Sequence, residues 1–149
     1  MQLGVSSYSF RNVVKSGGMD FLDIPAKAKE MGFDVVEFSV LAVPEGETPL
    51  AFAPKVKEAA DRAGMAIANY TIGADFLNGS GGDWKAESER LKDEVRTAEI
   101  LGVPGMRHDA TRGFQLEHTG PRGFDDALST LIQGCRAVTE FAADRGIKT

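Results

Sequence analysis

Two rhythms of apolar residues alternate along the chain. In "MDFLDIPAKAKEM", Phe21, Ile24, Ala28 and Met31 recur at helical spacing, and Asp20 stands where it can cap the first turn. A second helix is predicted over "APKVKEAADRA". A third, "DWKAESERLKDEVRTAEIL", sets Leu91, Val95 and Ala98 on one side and charges on the other. A fourth, "PRGFDDALSTLIQGCRAVTEFAADR", carries an apolar stripe of Leu128, Leu131, Cys135, Val138 and Ala142, with Pro121 placed to open it. The intervening runs "LGVSSYSF", "MGFDVVEF", "AGMAIANY" and "LGVPGMRH" are short, apolar and rich in strand formers, and they predict strands.

Gly32, Gly64, Gly102 and Gly146 each close a helical pattern and open a strand pattern, at intervals of 32, 38 and 44 residues. Glycine there suits a left-handed helix C-cap. The phrase occurs for the last time in "RGIKT", so a fifth strand is expected to begin there and to be cut off at Thr149.

Strict alternation of strand and helix implies an α/β fold of parallel strands joined by right-handed crossovers. Residues 1–149 are expected to form a single domain of about four (β/α) units. The connections are lopsided: helix-to-strand links are minimal, whereas "SVLAVPEGETP", "IGADFLNGSGGD" and "DATRGFQLEHTGPRG" follow strands. A (β/α)8 barrel builds its active site from such loops. A flavodoxin-like small-molecule binding domain also places ligands at strand C-terminal ends and is the alternative.

Composition narrows the function classes. An apolar fraction of 42% with 26% charged residues is that of an ordinary globular protein. A net charge of −5 argues against a nucleic-acid partner, which needs clustered Lys and Arg. No stretch approaches the ~20 apolar residues of a membrane span, and nothing reads as a signal peptide, so a cytoplasmic location is expected. The lone Cys135 excludes an internal disulfide.

Counting five residues past the strand-opening glycine selects Glu37 on the second strand and Arg107 on the fourth, both facing inward near the C-terminal ends. Displacing the count by one on odd strands selects Tyr70, and the inward set of the first strand ends at Tyr8. These four, with His108 as a further candidate, are the expected substrate-binding groups. Glu37 and Arg107 could also simply pair with each other. His108 follows Arg107 and should point the other way, as a hydrogen-bonded structural histidine. Asp75 and Asp83, among glycines, read as turn and cap residues. No nucleophile elbow, His-x-x-x-His pair or two-Cys motif is present, so no catalytic residue and no metal ligand is assigned.

"GVSSYSFR", "GFDVVEFSVL", "NYTIGADF" and "LGVPGMRHDA" resemble, in order and spacing, successive strands of the sugar phosphate isomerase/epimerase family, the xylose isomerase-like TIM barrels. The resemblance spans the whole chain but only the N-terminal half of that barrel. It implies a metal-dependent isomerase or epimerase acting by proton transfer next to a carbonyl of a sugar or sugar-phosphate substrate. In the full-length family a divalent metal (Mn, Mg, Co or Zn) is held by groups from strands 5 to 8. The first catalytic glutamate stands just past the equivalent of "GIKT", so none is expected on this chain alone, which is expected to be inactive. The abasic-site nuclease branch matches poorly, because the ends of the second and third strands carry no histidine.

A half barrel leaves unpaired strand edges, which are templates for association. Two copies are therefore expected to form a homodimer that covers them, either around a truncated enzyme half or as a non-catalytic half barrel that binds a small polyol.

Overall fold

The computed structural model describes residues Met1–Thr149. Four parallel strands, β1 (Gly4–Ser6), β2 (Val35–Ser39), β3 (Ala66–Ile72) and β4 (Met106–His108), lie side by side in chain order. Five helices follow the crossovers: α1 (Arg11–Lys15), α2 (Ile24–Glu30), α3 (Pro49–Arg62), α4 (Trp84–Leu101) and α5 (Phe124–Ala143). From α2 to α5 each helix packs on the next.

Sequential strand order with crossovers of one hand puts the helices on one face of the sheet. Burial shows which face. Val36, Phe38, Tyr70, Ile72 and Met106 are buried against Ile24, Val56, Leu91, Val95 and Val138 of the helices. The alternate positions Val35, Glu37, Ser39, Asn69 and Thr71 are only half-buried, and Arg107 is exposed. The other face of the sheet is therefore uncovered. A flavodoxin-like fold carries helices on both faces, so that alternative does not describe this chain. The sheet is half of a (β/α)8 barrel wall.

The strand-opening glycines all adopt positive φ, from 60° at Gly64 to 88° at Gly32, the conformation that lets a helix stop and the chain turn directly into a strand. Asp20 caps the turn before α2 by accepting from Leu22 N at 2.8 Å, and Asp83 caps α4 by accepting from Lys85 N at 2.9 Å. The closing "GIKT" starts a fifth position in the sheet: Met106 N donates to the Lys148 carbonyl at 2.8 Å, and Lys148 N donates to that of Pro104 at 3.1 Å.

Three boundaries differ from expectation. β1 stops at Ser6, because the Ser6 hydroxyl accepts from Tyr8 N at 3.3 Å and bends the chain into a 3-10 turn over Ser7–Phe10. Met31 ends its helix outside the core, 58% exposed. Pro121 lies ahead of α5, which begins at Phe124, where the Asp126 carboxylate accepts from Gly123 N at 2.7 Å.

Candidate functional site

In a parallel ladder, paired residues project to the same face. Ser6 pairs with Glu37 and Glu37 with Asn69; Ser39 pairs with Thr71 and Thr71 with Arg107. These six side chains form two polar rows on the uncovered face, at the C-terminal ends of the strands. Glu37 and Arg107 are offset by two residues across two strands, the stagger of about one residue per strand that a barrel of shear 8 requires.

The rows are tied together through Asn69. Its amide donates to Thr71 Oγ1 at 3.1 Å and to Glu37 Oε2 at 3.4 Å. Glu37 and Arg107 do not pair with each other: Arg107 Nη2 donates to Asp109 Oδ1 at 2.7 Å instead, and the Arg107 side chain is 64% exposed. The result is a carboxylate, an amide, hydroxyls and a guanidinium in reach of solvent. Such a mixed donor and acceptor set suits a polyhydroxylated ligand.

Tyr70, expected inward, faces the helices. It is 1% exposed, and its hydroxyl donates to Glu94 Oε2 of α4 at 2.7 Å. The expectation confused height with facing. Barrel layers alternate because strands are staggered, while pairing of Tyr70 with Phe38 and Met106 fixes its face. The inward group on β3 is Asn69, five residues past Gly64 by the same count that found Glu37 and Arg107. Tyr8 lies in the turn beyond β1, 59% exposed, with the Arg11 guanidinium 3.9 Å from its ring centroid. His108 pairs with Ile72 on the helix-facing side. Its Nδ1 is 2.8 Å from the Asp109 carbonyl oxygen, and its ring meets Phe76 edge-on.

Behind β3, a chain of polar groups fixes the loops that frame the mouth. Arg90 of α4 donates to Glu87 through Nε at 3.1 Å and Nη2 at 2.7 Å, and to the Gly73 carbonyl at 2.8 Å. Glu87, 3% exposed, also accepts from Ser80 Oγ at 2.8 Å and Asp75 N at 3.2 Å. Asp75 accepts from Asn78 Nδ2 at 2.9 Å and Thr111 Oγ1 at 2.8 Å, joining the β3–α4 loop to the β4–α5 loop. Gly79 leaves room for this: a Cβ there would stand 2.7 Å from the Glu87 carboxyl carbon.

Electrostatics follow these contacts. Burial works to raise the Glu87 carboxyl, but Arg90, Ser80 and the Asp75 N–H outweigh it and hold the group below its usual range. Asp75 is likewise lowered: burial opposes, and hydrogen bonds from Asn78, Thr111 and Leu77 prevail. Glu94 is raised, chiefly by burial. Burial, then the adjacent Glu94, push the Tyr70 phenol up as well. The residues missed by sequence reasoning, Glu87, Arg90 and Glu94, follow one another at three- and four-residue spacing on α4. That spacing is a visible signal, read there only as a charged helix face.

No three His, Cys, Asp or Glu side chains converge as a metal set. The divalent ion implied by the resemblance therefore does not fit onto the residues of these four units by themselves.

A model of the xylose isomerase-like TIM barrel family matches residues 25–149. The chain belongs to that family. No curated protein matches it. Among solved structures, D-psicose 3-epimerase from Clostridium cellulolyticum H10, solved with D-tagatose, superposes with a TM-score of 0.71 at 14% identity over 99% of this chain and 50% of that one. A sugar phosphate isomerase/epimerase from Parabacteroides distasonis gives 0.68 at 14% identity over 98% and 49%. The probable 3-DHS dehydratase AsbF from Bacillus anthracis gives 0.65 at 18% identity over 99% and 50%. At these identities the likeness is one of fold. This xylose isomerase-like chain spans about half the length of the solved structures it matches.

Proposed function

We propose that residues 1–149 are the N-terminal half-barrel domain of a sugar or sugar-phosphate isomerase or epimerase, and that they contribute substrate-binding groups. The observation that carries this reading is the pair of polar rows on the uncovered sheet face, with Glu37 and Asn69 in one row and Arg107 in the next. Family membership and neighbours named as sugar epimerases support it. In this reading Glu37 accepts from a substrate hydroxyl, Asn69 bridges, and Arg107 donates to a carbonyl, hydroxyl or phosphate oxygen. Tyr8 covers the rim, and Tyr70 and His108 hold the wall from behind.

The proton-transfer groups and any divalent metal belong to the other half of the barrel, so the chain alone binds without turnover. A second copy covers the uncovered face and the open edges at β1 and beyond the Lys148 bridge, giving a homodimer. The exposed inner face supports the homodimer.

Isothermal titration with D-fructose, without added metal, tests the reading. Saturable binding that Arg107→Ala weakens at least tenfold supports it. Saturable binding indifferent to Arg107→Ala and Glu37→Gln, or none at all, overturns it.

A further inference from the structure

We infer that the cavity between the turn after β1 and the segment after β2 is a binding site for a small organic anion, an apolar body carrying a phosphate or carboxylate. The cavity measures about 320 Å³ and is walled by Ser7, Arg11, Lys15, Phe21, Val40 and Leu41, among others. That volume is in the range of small-molecule sites, roughly 300–1,000 Å³. Although the chain carries a net charge of −5, no acidic side chain lines this cavity and two cations do.

Those two cations are also uncommitted. Arg90, Arg107 and Arg145 all pair with carboxylates, whereas neither Arg11 nor Lys15 has an acidic partner within ion-pair distance or donates a side-chain hydrogen bond. Stacking of Arg11 on the Tyr8 ring at 3.9 Å fixes the guanidinium plane while leaving its N–H donors free. Arg11 and Lys15 stand four residues apart on α1, so their like charges repel on one helix face. An anion between them relieves that repulsion.

The opposite wall is shaped by a strained residue. Val40 has φ of 45°, a left-handed conformation that a β-branched residue rarely adopts. Its N–H donates to the Thr71 carbonyl at 2.9 Å, which turns the chain at the end of β2 and leaves Val40 and Leu41 facing Phe21 across the cavity. Strain of this kind gathers at ligand sites. The cations supply charge at one end, and Val14, Phe21, Ile24 and Leu41 supply an apolar surface for the rest of the ligand. The site borders the proposed sugar mouth at Tyr8 and Ser39 but takes its charge from Arg11 and Lys15 rather than from Glu37, Asn69 or Arg107, so variants of the two sets tell it apart from the proposed function.

The test is a titration of ¹⁵N-labelled protein with phenyl phosphate, inorganic phosphate and phenol. The expected result is saturable shifts of the Ser7, Val40 and Leu41 amides with phenyl phosphate, at an affinity at least tenfold above that of either other probe. Arg11→Met combined with Lys15→Met should reduce it at least tenfold, whereas Arg107→Ala should leave it unchanged. In the unaltered protein, raising KCl should weaken phenyl phosphate and not phenol. Equal affinity for phenol, shifts mapping elsewhere, insensitivity to KCl, or binding retained in the folded double variant would overturn the inference.

Discussion

The Tyr70 hydroxyl and the Glu94 carboxylate meet at 2.7 Å between β3 and α4, with Tyr70 only 1% exposed. This contact places a tyrosine that sequence spacing assigned to the substrate side firmly on the helix side. Tyr70→Phe removes the donor and leaves the half-buried Glu94 carboxylate without it, a loss of about 1–3 kcal/mol. Urea denaturation should show that loss, while sugar binding is unchanged. A stable Tyr70→Phe variant with impaired sugar binding would contradict the assignment.

Acid should unfold the protein partly through Glu87. Its carboxyl is held below its ordinary value in the fold, so the stability it contributes is present above that ordinary value and lost as pH falls through the folded one. Glu87→Gln should lower stability at neutral pH and flatten the decline below pH 4.5. Glu94, which is raised, contributes a slope of opposite sign above that pH. Thermal unfolding followed from about pH 3 to about pH 7, a range that spans the ordinary carboxylate values, separates the two.

Gly134 of α5 packs so closely that a Cβ would run into the Phe76 ring. Phe76 is fully buried and anchors the β3–α4 loop, so the ring cannot move aside freely. Gly134→Ala should destabilise by about 1–3 kcal/mol through overpacking, outweighing the better helix propensity of alanine. A raised melting temperature would show that the packing there is looser than that contact implies.

An uncovered sheet face predicts association. Light scattering on a sizing column should return twice the monomer mass, with and without Mn²⁺. A monomer at the same concentrations would mean that the half-buried Val35, Ser39 and Thr71 tolerate solvent without a partner.

Much of this fold was legible because its punctuation is chemical. Gly32, Gly64, Gly102 and Gly146 all take positive φ, and each is soon followed by a strand, at Val35, Ala66 and Met106, or, after Gly146, by the bridge at Lys148. The same count that located Glu37 and Arg107 locates Asn69. It failed at Tyr70 only because a height rule was applied to a question of facing. Other features lay beyond local pattern. The Ser6 hydroxyl shortens β1 by competing for Tyr8 N, a choice that depends on geometry two residues away. The Asp75–Thr111 link joins residues 36 positions apart, and Arg107 chose Asp109 over Glu37 through proximity that spacing does not reveal.

The central claim is that the polar rows on the uncovered face bind a sugar. It is tested most directly by titrating ¹⁵N-labelled chain with D-fructose and mapping the shifted amides. The account predicts saturable shifts centred on Glu37, Asn69 and Arg107, reduced at least tenfold in affinity by Arg107→Ala. That variant should keep its stability within about 0.5 kcal/mol, because the side chain is exposed. Shifts confined to the helix side, or no saturation, would contradict it.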